Sequence, residues 1–237
     1  MKKKTKNIFF KSFKKNKINK KIKKDLILLL NEENKVLDSL TENYNYSYSK
    51  KTLSKLKKFS KILVIGIGGS ILGTEAIYNF LKKKIKKNFY FINNLQSRIN
   101  NQHKKSSYLN LIVSKSGNTL ETISNSNIII KSKSKNVFIT ENKKSYLNLL
   151  AKKMKTEIIH HNNFIGGRYS VLSEVGMLPA ELMGLNATKF KQLNNLIKNE
   201  KFINALLSNV DNTLYLLKKK KFNSIILNYD ESSDNLF

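Results

Sequence analysis

The sequence predicts an α/β fold, in which a parallel sheet lies between two helical layers as a three-layer αβα sandwich and follows an N-terminal helical segment. Short runs of β-branched and aromatic residues without polar alternation are typical of strands buried on both faces. Segments with helical spacing of apolar residues separate these runs. Strands that alternate with helices in this way form right-handed βαβ units.

The predicted strands follow one another along the chain at residues 62–65, 89–92, 109–113, 137–139 and 158–159. The apolar residues between them predict helices within residues 72–81, 120–130 and 146–150. After Gly166 the spacing is again helical, at residues 190–197 and 202–217. A last apolar run, residues 222–227, predicts one more buried strand, and we interpret it as the start of a second αβα subdomain in a chain that stops early.

The amino-terminal part has a different character. Residues 1–24 read as a solvated lead-in, and five leucines between residues 26 and 40 recur on one helical face. Residues 47–58 form a polar connector with some helical character. We therefore expect an N-terminal basic and helical segment at 1–58, a ligand-binding domain at 59–186 and the truncated second subdomain at 187–237.

Composition excludes several classes of protein. With 237 residues and 40% hydrophobic residues the chain is long and apolar enough for a buried core, and it is neither collagenous nor disordered. The absence of cysteine excludes disulfides and thiolate chemistry, and it fits a reducing compartment. No apolar run approaches the roughly 20 residues of a membrane span. No signal peptide is recognised, so we expect a cytoplasmic protein without membrane contact.

The formal net charge of +29 would ordinarily indicate a nucleic-acid binder. However, only Arg98 and Arg168 among the 45 basic residues are arginine, and the lysines are spread through every segment. This distribution favours a compositional bias and predicts no specific nucleic-acid binding. The alternative is a basic arm at residues 1–24, where twelve lysines alternate with phenylalanines in a pattern that could hold phosphates or a membrane surface.

The first motif with chemical content is Gly66-Ile67-Gly68-Gly69-Ser70, between a predicted strand and a predicted helix. Glycines at a strand's carboxyl end let a polar ligand reach backbone N–H groups, and the helix N-terminus favours anions. The third glycine of the dinucleotide fingerprint would fall at Ile71, and the P-loop lysine is absent. These departures argue against NAD and nucleoside triphosphates.

The second motif, Ser114-Lys115-Ser116-Gly117-Asn118-Thr119, also follows a strand and precedes a helix. Its three hydroxyls, the N–H groups of the helix start and the charge of Lys115 together suit a phosphate monoester. The alternative is an ordinary helix cap with a serine-rich turn, in which Glu121 only favours the first turn.

The third motif is Gly166-Gly167-Arg168-Tyr169-Ser170. An arginine after two glycines is informative in a chain that uses lysine nearly everywhere else. A guanidinium keeps its charge and offers a fixed fork of donors, which suits an anionic substrate or a developing oxyanion. The alternative is a structural arginine paired with a carboxylate such as Glu174 or Glu181.

Taken together, the three motifs resemble the phosphoglucose isomerase family and, more broadly, the sugar-isomerase (SIS) fold, over about residues 60–185. The resemblance implies that Gly69 and Ser70 lie beside the sugar and that Gly167 and Arg168 lie by C1 and C2, where Arg168 steadies a cis-enediolate. It implies that the phosphate is held by four residues of the second motif, Ser114, Lys115, Ser116 and Thr119. It also implies a hexose phosphate substrate, a homodimer, and no metal or organic cofactor.

Two departures from the family pattern qualify this resemblance. Glu174 stands where the family usually has a small residue or proline. The later segment of the family, with its glutamate base, histidine and lysine, is not found. His160 and His161 precede the third motif, but a solvated or capping role is favoured over metal binding because no acidic partner stands at ligand spacing. The alternative function is a non-catalytic sugar-phosphate-binding module or a decayed fragment.

Overall fold

The computed structural model describes residues 19–95, 108–130 and 134–236. Arg98, His103 and most of the predicted basic arm lie outside these residues. The described strands are β1 (Lys61–Ile65), β2 (Asn88–Ile92), β3 (Leu109–Val113), β4 (Lys135–Thr140) and β5 (Glu157–His160). The described α-helices are α1 (Lys20–Asn31), α2 (Lys35–Asp38), α3 (Lys50–Leu56), α4 (Leu72–Leu81), α5 (Leu120–Ile129), α6 (Tyr146–Lys153), α7 (Glu174–Leu182), α8 (Ala187–Phe190) and α9 (Glu200–Lys218). Short 3₁₀ helices occur at Gly68–Ser70, Lys82–Lys84, Gly167–Leu172, Gln192–Lys198 and Glu231–Leu236.

The five strands form one parallel sheet in the order β2-β1-β3-β4-β5. In its centre Val64 of β1 is in register with Phe91 of β2 on one side and with Leu111 of β3 on the other. All five predicted strands are formed, and each extends to or slightly beyond the apolar run that predicted it. The α/β fold class is therefore confirmed.

Alternate residues of each strand enter two separate cores, one on each face of the sheet. On one face Val64, Leu111 and Ile139 pack with residues of α3, α4 and α7. On the other face Ile65 and Phe138 pack with residues of α5 and α6. Because both faces are covered, the strands are apolar at almost every position, as parallel sheets require.

The chain reverses its direction across the sheet between β1 and β3. From β1 it passes through α4 to β2 at the edge, whereas β3 lies on the other side of β1 and leads through α5 to β4. Consequently α4 and α5 cover opposite faces of the sheet. In open parallel sheets a crevice for ligands forms at such a reversal, outside the carboxyl ends of the two strands.

The described residues fall into two compact units. One comprises residues 35–191 and 228–237 and contains the sheet; within it α4 packs against the 3₁₀ helix Glu231–Leu236. In the other unit, residues 19–34 and 192–227, α1 contacts α9, and Asn19 donates a side-chain hydrogen bond to Asp211 at 3.2 Å. The compact units thus divide at 34/35, 191/192 and 227/228, while the domain boundaries at 58/59 and 186/187 stay predictions.

Two local expectations are corrected. Residues 222–227 do not form a strand, since residues 221–230 have no regular secondary structure and are exposed. An apolar run forms a strand only beside a partner, and among the described residues this segment is paired with no strand. The leucines of residues 26–40 do not share one helix: those at 26–30 lie in α1, Leu37 lies in the short α2 and Leu40 in the turn after it, because Glu32 leaves the helical conformation (φ −74°, ψ 133°).

Among the described residues, no helix combines the length and the hydropathy that crossing a membrane requires.

Gly176 provides a test of how closely α7 packs on the preceding 3₁₀ helix. A Cβ at this position would lie 2.0 Å from the carbonyl oxygen of Val171. We expect Gly176→Ala to destabilise the chain by about 1–3 kcal/mol or more, the usual scale of overpacking. Urea unfolding measures the loss.

The matched control is Gly166→Ala, because a Cβ there would meet only the Tyr169 ring, at 3.8 Å, and the backbone φ is −70°. Its stability should stay within about 0.5 kcal/mol of the wild-type value. Equal effects of the two substitutions would contradict this description of the packing.

Candidate functional site

The first glycine loop lies directly against the end of the neighbouring strand. A Cβ on Gly66 would approach the carbonyl oxygen of Val113, the last residue of β3, to 3.0 Å. Gly68 has a left-handed backbone (φ +54°) and starts the short 3₁₀ helix that ends at Ser70. The loop therefore turns over the crevice between β1 and β3, and Ser70 stands half-exposed at its end.

The second loop, between β3 and α5, is closed by its own hydroxyl groups. Ser114 Oγ and Thr119 Oγ1 are 2.9 Å apart, and the Gly117 N–H donates to Ser114 Oγ at 3.2 Å. The Asn118 N–H donates to Ser116 Oγ, also at 3.2 Å. The structure thus gathers three predicted site residues, Ser114, Ser116 and Thr119, into one turn.

Gly117 is required at the centre of this turn. Its φ of +67° is left-handed, and a Cβ would lie 2.2 Å from Ser145 Oγ. The Gly117 carbonyl also accepts from the Leu147 N–H at 3.0 Å. The loop is therefore held against the start of α6 at a distance that only glycine permits.

Thr119 occupies the N-cap position of α5, but its side chain makes no capping hydrogen bond. Its hydroxyl faces Ser114 and Ser116 instead. This geometry does not match the alternative of an ordinary capped helix. The N–H groups in the first turn of a helix have no acceptor within the helix. In α5 these groups face the same loop, and the Thr119 side chain does not accept from them.

The third motif contacts the first at Gly69 and Gly167, where backbone meets backbone. A Cβ on Gly69 would lie 2.3 Å from the carbonyl carbon of Gly167, so this close approach requires a glycine at position 69. Ser170 fixes this contact, since its Oγ lies 2.9 Å from the carbonyl oxygen of Gly69 and 2.7 Å from that of Gly167. The contact brings together two motifs that are far apart in sequence.

Arg168 follows Gly167 in the 3₁₀ helix Gly167–Leu172, and its side chain is exposed. Within the described part of the chain it forms no salt bridge. The carboxylates proposed as structural partners are engaged elsewhere: Glu174 accepts from the Tyr44 hydroxyl at 2.8 Å and Glu181 from the Tyr48 hydroxyl at 2.7 Å. In this structure Arg168 is therefore paired with neither of the two carboxylates named as its structural partners.

The ammonium group of Lys115 is held at the edge of the second loop. It donates to the carbonyl oxygen of Asn163 and lies 3.6 Å from Glu141 Oε1. Burial acts to raise the pKa of Glu141, but Lys143 and Lys115 outweigh it and hold that pKa below its ordinary value. Since two lysines share one carboxylate, the loop keeps a net positive charge.

His160 and His161 differ from each other in environment. His160 Nδ1 accepts from the Asn142 N–H at 3.1 Å, in the loop that follows β4. His161 is buried rather than solvated; burial lowers its pKa, and its Nδ1 lies 3.0 Å from the Asn162 carbonyl. In the residues that the structure describes, no group of three histidine, aspartate or glutamate side chains is arranged to hold a metal ion.

Behind the third motif lies a buried polar cluster that sequence reasoning did not foresee. Glu174 is fully buried at the start of α7, and besides Tyr44 it accepts from the Ser47 N–H at 3.2 Å. The Lys191 ammonium is buried with no hydrogen-bond partner, 4.6 Å and 4.7 Å from the ring centroids of Tyr44 and Tyr46. No spacing signal could reveal this cluster, because residues 44–47 lie more than a hundred residues from Glu174 and Lys191.

Comparison with known proteins gives a consistent result. The model of the family described as phosphoglucose isomerase matches residues 9–210. The glucose-6-phosphate isomerase of Methanocaldococcus jannaschii is 36% identical over 194 residues, which are 75% of this chain and 47% of the relative. That of Mycoplasma genitalium is 30% identical over 75% of this chain and 48% of the relative. The chain thus spans about half the length of these relatives.

Among solved structures, a hypothetical protein from Thermus thermophilus superposes with a TM-score of 0.62 at 21% identity. The match covers 84% of this chain and 52% of the other. At this identity the likeness bears on the fold alone, and it agrees with the parallel sheet described above.

The buried ammonium of Lys191 predicts how stability depends on pH. Burial lowers the pKa of Lys191 to about 8, below its ordinary 10.5, although the charge of Glu174 acts in the opposite direction. Between these two values the unfolded chain binds the proton more tightly than the folded chain, so the cost of burying Lys191 falls as pH rises. Lys191→Met removes this contribution.

We therefore expect the difference in unfolding free energy to move in favour of the wild-type chain, relative to Lys191→Met, as pH rises from about 8 to 10.5. Urea unfolding at several pH values measures it. Lys189→Met, which changes an exposed lysine nearby, is the control and should give a flat difference. A flat difference for Lys191→Met as well would show that Lys191 is not buried as a cation.

Proposed function

Because the chain belongs to the phosphoglucose isomerase family, we propose that it carries the phosphate site and the oxyanion-stabilising arginine of an enzyme that interconverts glucose 6-phosphate and fructose 6-phosphate. The observation that carries the proposal is the meeting of all three motifs at one place, the crevice where the sheet reverses between β1 and β3. Such a reversal is where parallel α/β sheets bind their ligands. The relatives are about twice as long as this chain, so the isomerase activity of the whole protein is itself proposed.

The phosphate is bound by the loop between β3 and α5. Ser114, Ser116 and Thr119 present hydroxyls from one turn, and the first N–H groups of α5 supply further donors. A helix N-terminus attracts anions through both its free N–H groups and its dipole. Lys115 adds a charge whose position is fixed by Asn163 and Glu141.

The sugar lies over the contact between Gly69 and Gly167, with Ser70 beside it. Since no side chain fits between the two backbones, a ligand can approach the main chain closely there. Arg168 extends from the same contact, and its exposed guanidinium is free of the carboxylates nearby. It is therefore available to a ligand.

In the reaction a proton moves between C2 and C1 through a cis-enediolate, which carries negative charge on its oxygens. Arg168 stabilises that charge, because a guanidinium offers fixed donors and stays protonated. We assign the base that moves the proton to no residue of this chain. Glu174 is buried and bound to Tyr44, and Glu75 accepts from Asn93 at 3.3 Å.

The proposal includes a homodimer in the cytoplasm that uses no metal or organic cofactor and makes no specific contact with nucleic acid. Large apolar side chains on neighbouring helices support self-association: Leu120 and Ile128 of α5 and Tyr146 and Leu149 of α6 are exposed. These helices are adjacent, since the Asn127 side chain donates to the Tyr146 hydroxyl at 3.1 Å. A chain without cysteine suits a reducing compartment.

The phosphate loop is tested by Ser116→Asp, which places a carboxylate where the phosphate would bind. We expect the wild-type chain to bind fructose 6-phosphate but not fructose in calorimetric titration, and Ser116→Asp to abolish that binding by charge repulsion. Ser54→Asp makes the same change at an exposed position of α3 and should leave binding intact. Equal binding of fructose and fructose 6-phosphate would contradict the phosphate site.

Arg168 is tested by Arg168→Lys and a phosphorylated hydroxamate that mimics the enediolate. Because the guanidinium acts on charge developed in the reaction, the substitution should weaken hydroxamate binding by about 100-fold, the usual scale for losing one oxyanion donor. Fructose 6-phosphate binding should fall much less, and the melting temperature should not change. Loss of stability with unchanged hydroxamate affinity would instead give Arg168 a structural role.

A further inference from the structure

The hydroxyl of the half-buried Tyr44 connects two segments that flank the candidate site. It donates to Glu174 Oε1 at 2.8 Å and accepts from the side-chain amide of Asn162. The burial of Tyr44 and its neighbour Glu174 raise the pKa of this tyrosine, so the hydroxyl keeps the proton that it donates. Tyr44 therefore bonds the start of α7 to the segment that follows β5.

Glu174 also binds a second residue of the segment that contains Tyr44. The carboxylate oxygen that accepts from Tyr44 also accepts from the Ser47 N–H at 3.2 Å. Ser47 in turn donates from its Oγ to the His160 carbonyl at 2.6 Å. Residues 44–47 are thus fixed by Glu174 at one side and hold residues 160–162 by two hydrogen bonds at the other.

Residues 160–163 are also the support of the Lys115 ammonium, which donates to the carbonyl of Asn163. The next residue after the Tyr44-bound Asn162 is therefore the one that fixes Lys115. A lysine has a long flexible stem, so an accurate position for its charge depends on such acceptors. The described residues offer Lys115 one other fixed partner of this kind, Glu141 at 3.6 Å.

We propose that Tyr44 and Glu174 are positioning residues that fix Lys115 for the substrate phosphate. They act through Asn162 and Asn163, and the proposal rests on the proposed phosphate site. The hydrogen bonds run in one direction, from Asn162 to Tyr44 to Glu174, and chains of this kind reinforce one another away from water. Neither residue touches the ligand.

The test removes only the connecting hydroxyl. Tyr44→Phe keeps the ring against Lys191 and should raise the dissociation constant for fructose 6-phosphate about fivefold, the usual scale for one hydrogen bond. Tyr48→Phe is the matched control, because Tyr48 makes the same type of bond, to Glu181 at 2.7 Å, on the same segment. It should leave the dissociation constant unchanged.

A double-mutant cycle distinguishes positioning of Lys115 from general support of the fold. If Tyr44 acts through Lys115, Tyr44→Phe should have no further effect on fructose 6-phosphate binding in a Lys115→Met background. Additive effects would overturn the proposal, and so would equal binding by Tyr44→Phe and the wild-type chain.

Asn162→Ala serves as the second variant should Tyr44→Phe not fold. It breaks the same connection at its half-buried end and leaves the bond between Tyr44 and Glu174 in place. We expect the same weakening of fructose 6-phosphate binding, about fivefold, because one hydrogen bond is again lost. The same dependence on Lys115 is expected.

A measurement without sugar phosphate separates this proposal from the proposed function. The rate at which acetic anhydride modifies Lys115, followed by peptide mass spectrometry, should rise about twofold or more in Tyr44→Phe, as loss of a hydrogen-bonded support predicts. Tyr48→Phe should not change it. If the wild-type chain binds no fructose 6-phosphate, the proposed function fails, and the modification rate alone decides whether Tyr44 positions Lys115. Equal modification rates in the wild-type chain and both variants overturn the positioning proposal.

Discussion

The contact between the backbones of Gly69 and Gly167 is the constraint on which the rest of the site depends. The two segments can approach to this distance only because Gly69 has no side chain, and Ser170 Oγ lies within hydrogen-bond distance of both carbonyl oxygens. The segment carrying Arg168 is thereby brought to the end of β1. Without this contact, Arg168 would lie on a loop, and the sequence of that loop alone does not determine its position relative to the sheet.

The sheet explains why the phosphate loop lies beside that contact. β1 and β3 are neighbours although β2 lies between them in sequence, so the loops that follow both strands leave the same edge side by side. Their helices then cover opposite faces, which opens a crevice rather than closing it. An apolar three-layer core thus provides a polar site at its edge.

Much of this could be predicted from the sequence, and for a definite reason. Strands covered on both faces are apolar at successive positions, which made all five recognisable, and glycines in a lysine-rich chain mark the places where the backbone needs them. Residues 222–227 show the limit of this reasoning. Their composition expresses a preference for burial, but a strand also needs a partner, and composition carries no information about partners. Contacts between distant segments were beyond sequence reasoning in the same way: the motif containing Lys115 could be recognised, whereas its acceptor on Asn163, 48 residues away, is a backbone carbonyl without a sequence signature.

The cluster around Glu174 also bears on the lysine-rich composition. Most lysines of a chain with a net charge of +29 can be accommodated only at the surface, since burying an unpaired cation costs free energy. Lys191 is buried nevertheless, and the faces of Tyr44 and Tyr46 replace part of its hydration while the charge of Glu174 opposes the loss of its proton. Tyr44, which shields this cation, also bonds to Asn162, the neighbour of the residue whose carbonyl holds Lys115. A residue that composition alone would assign to surface filling is therefore part of the interior that holds the candidate site together.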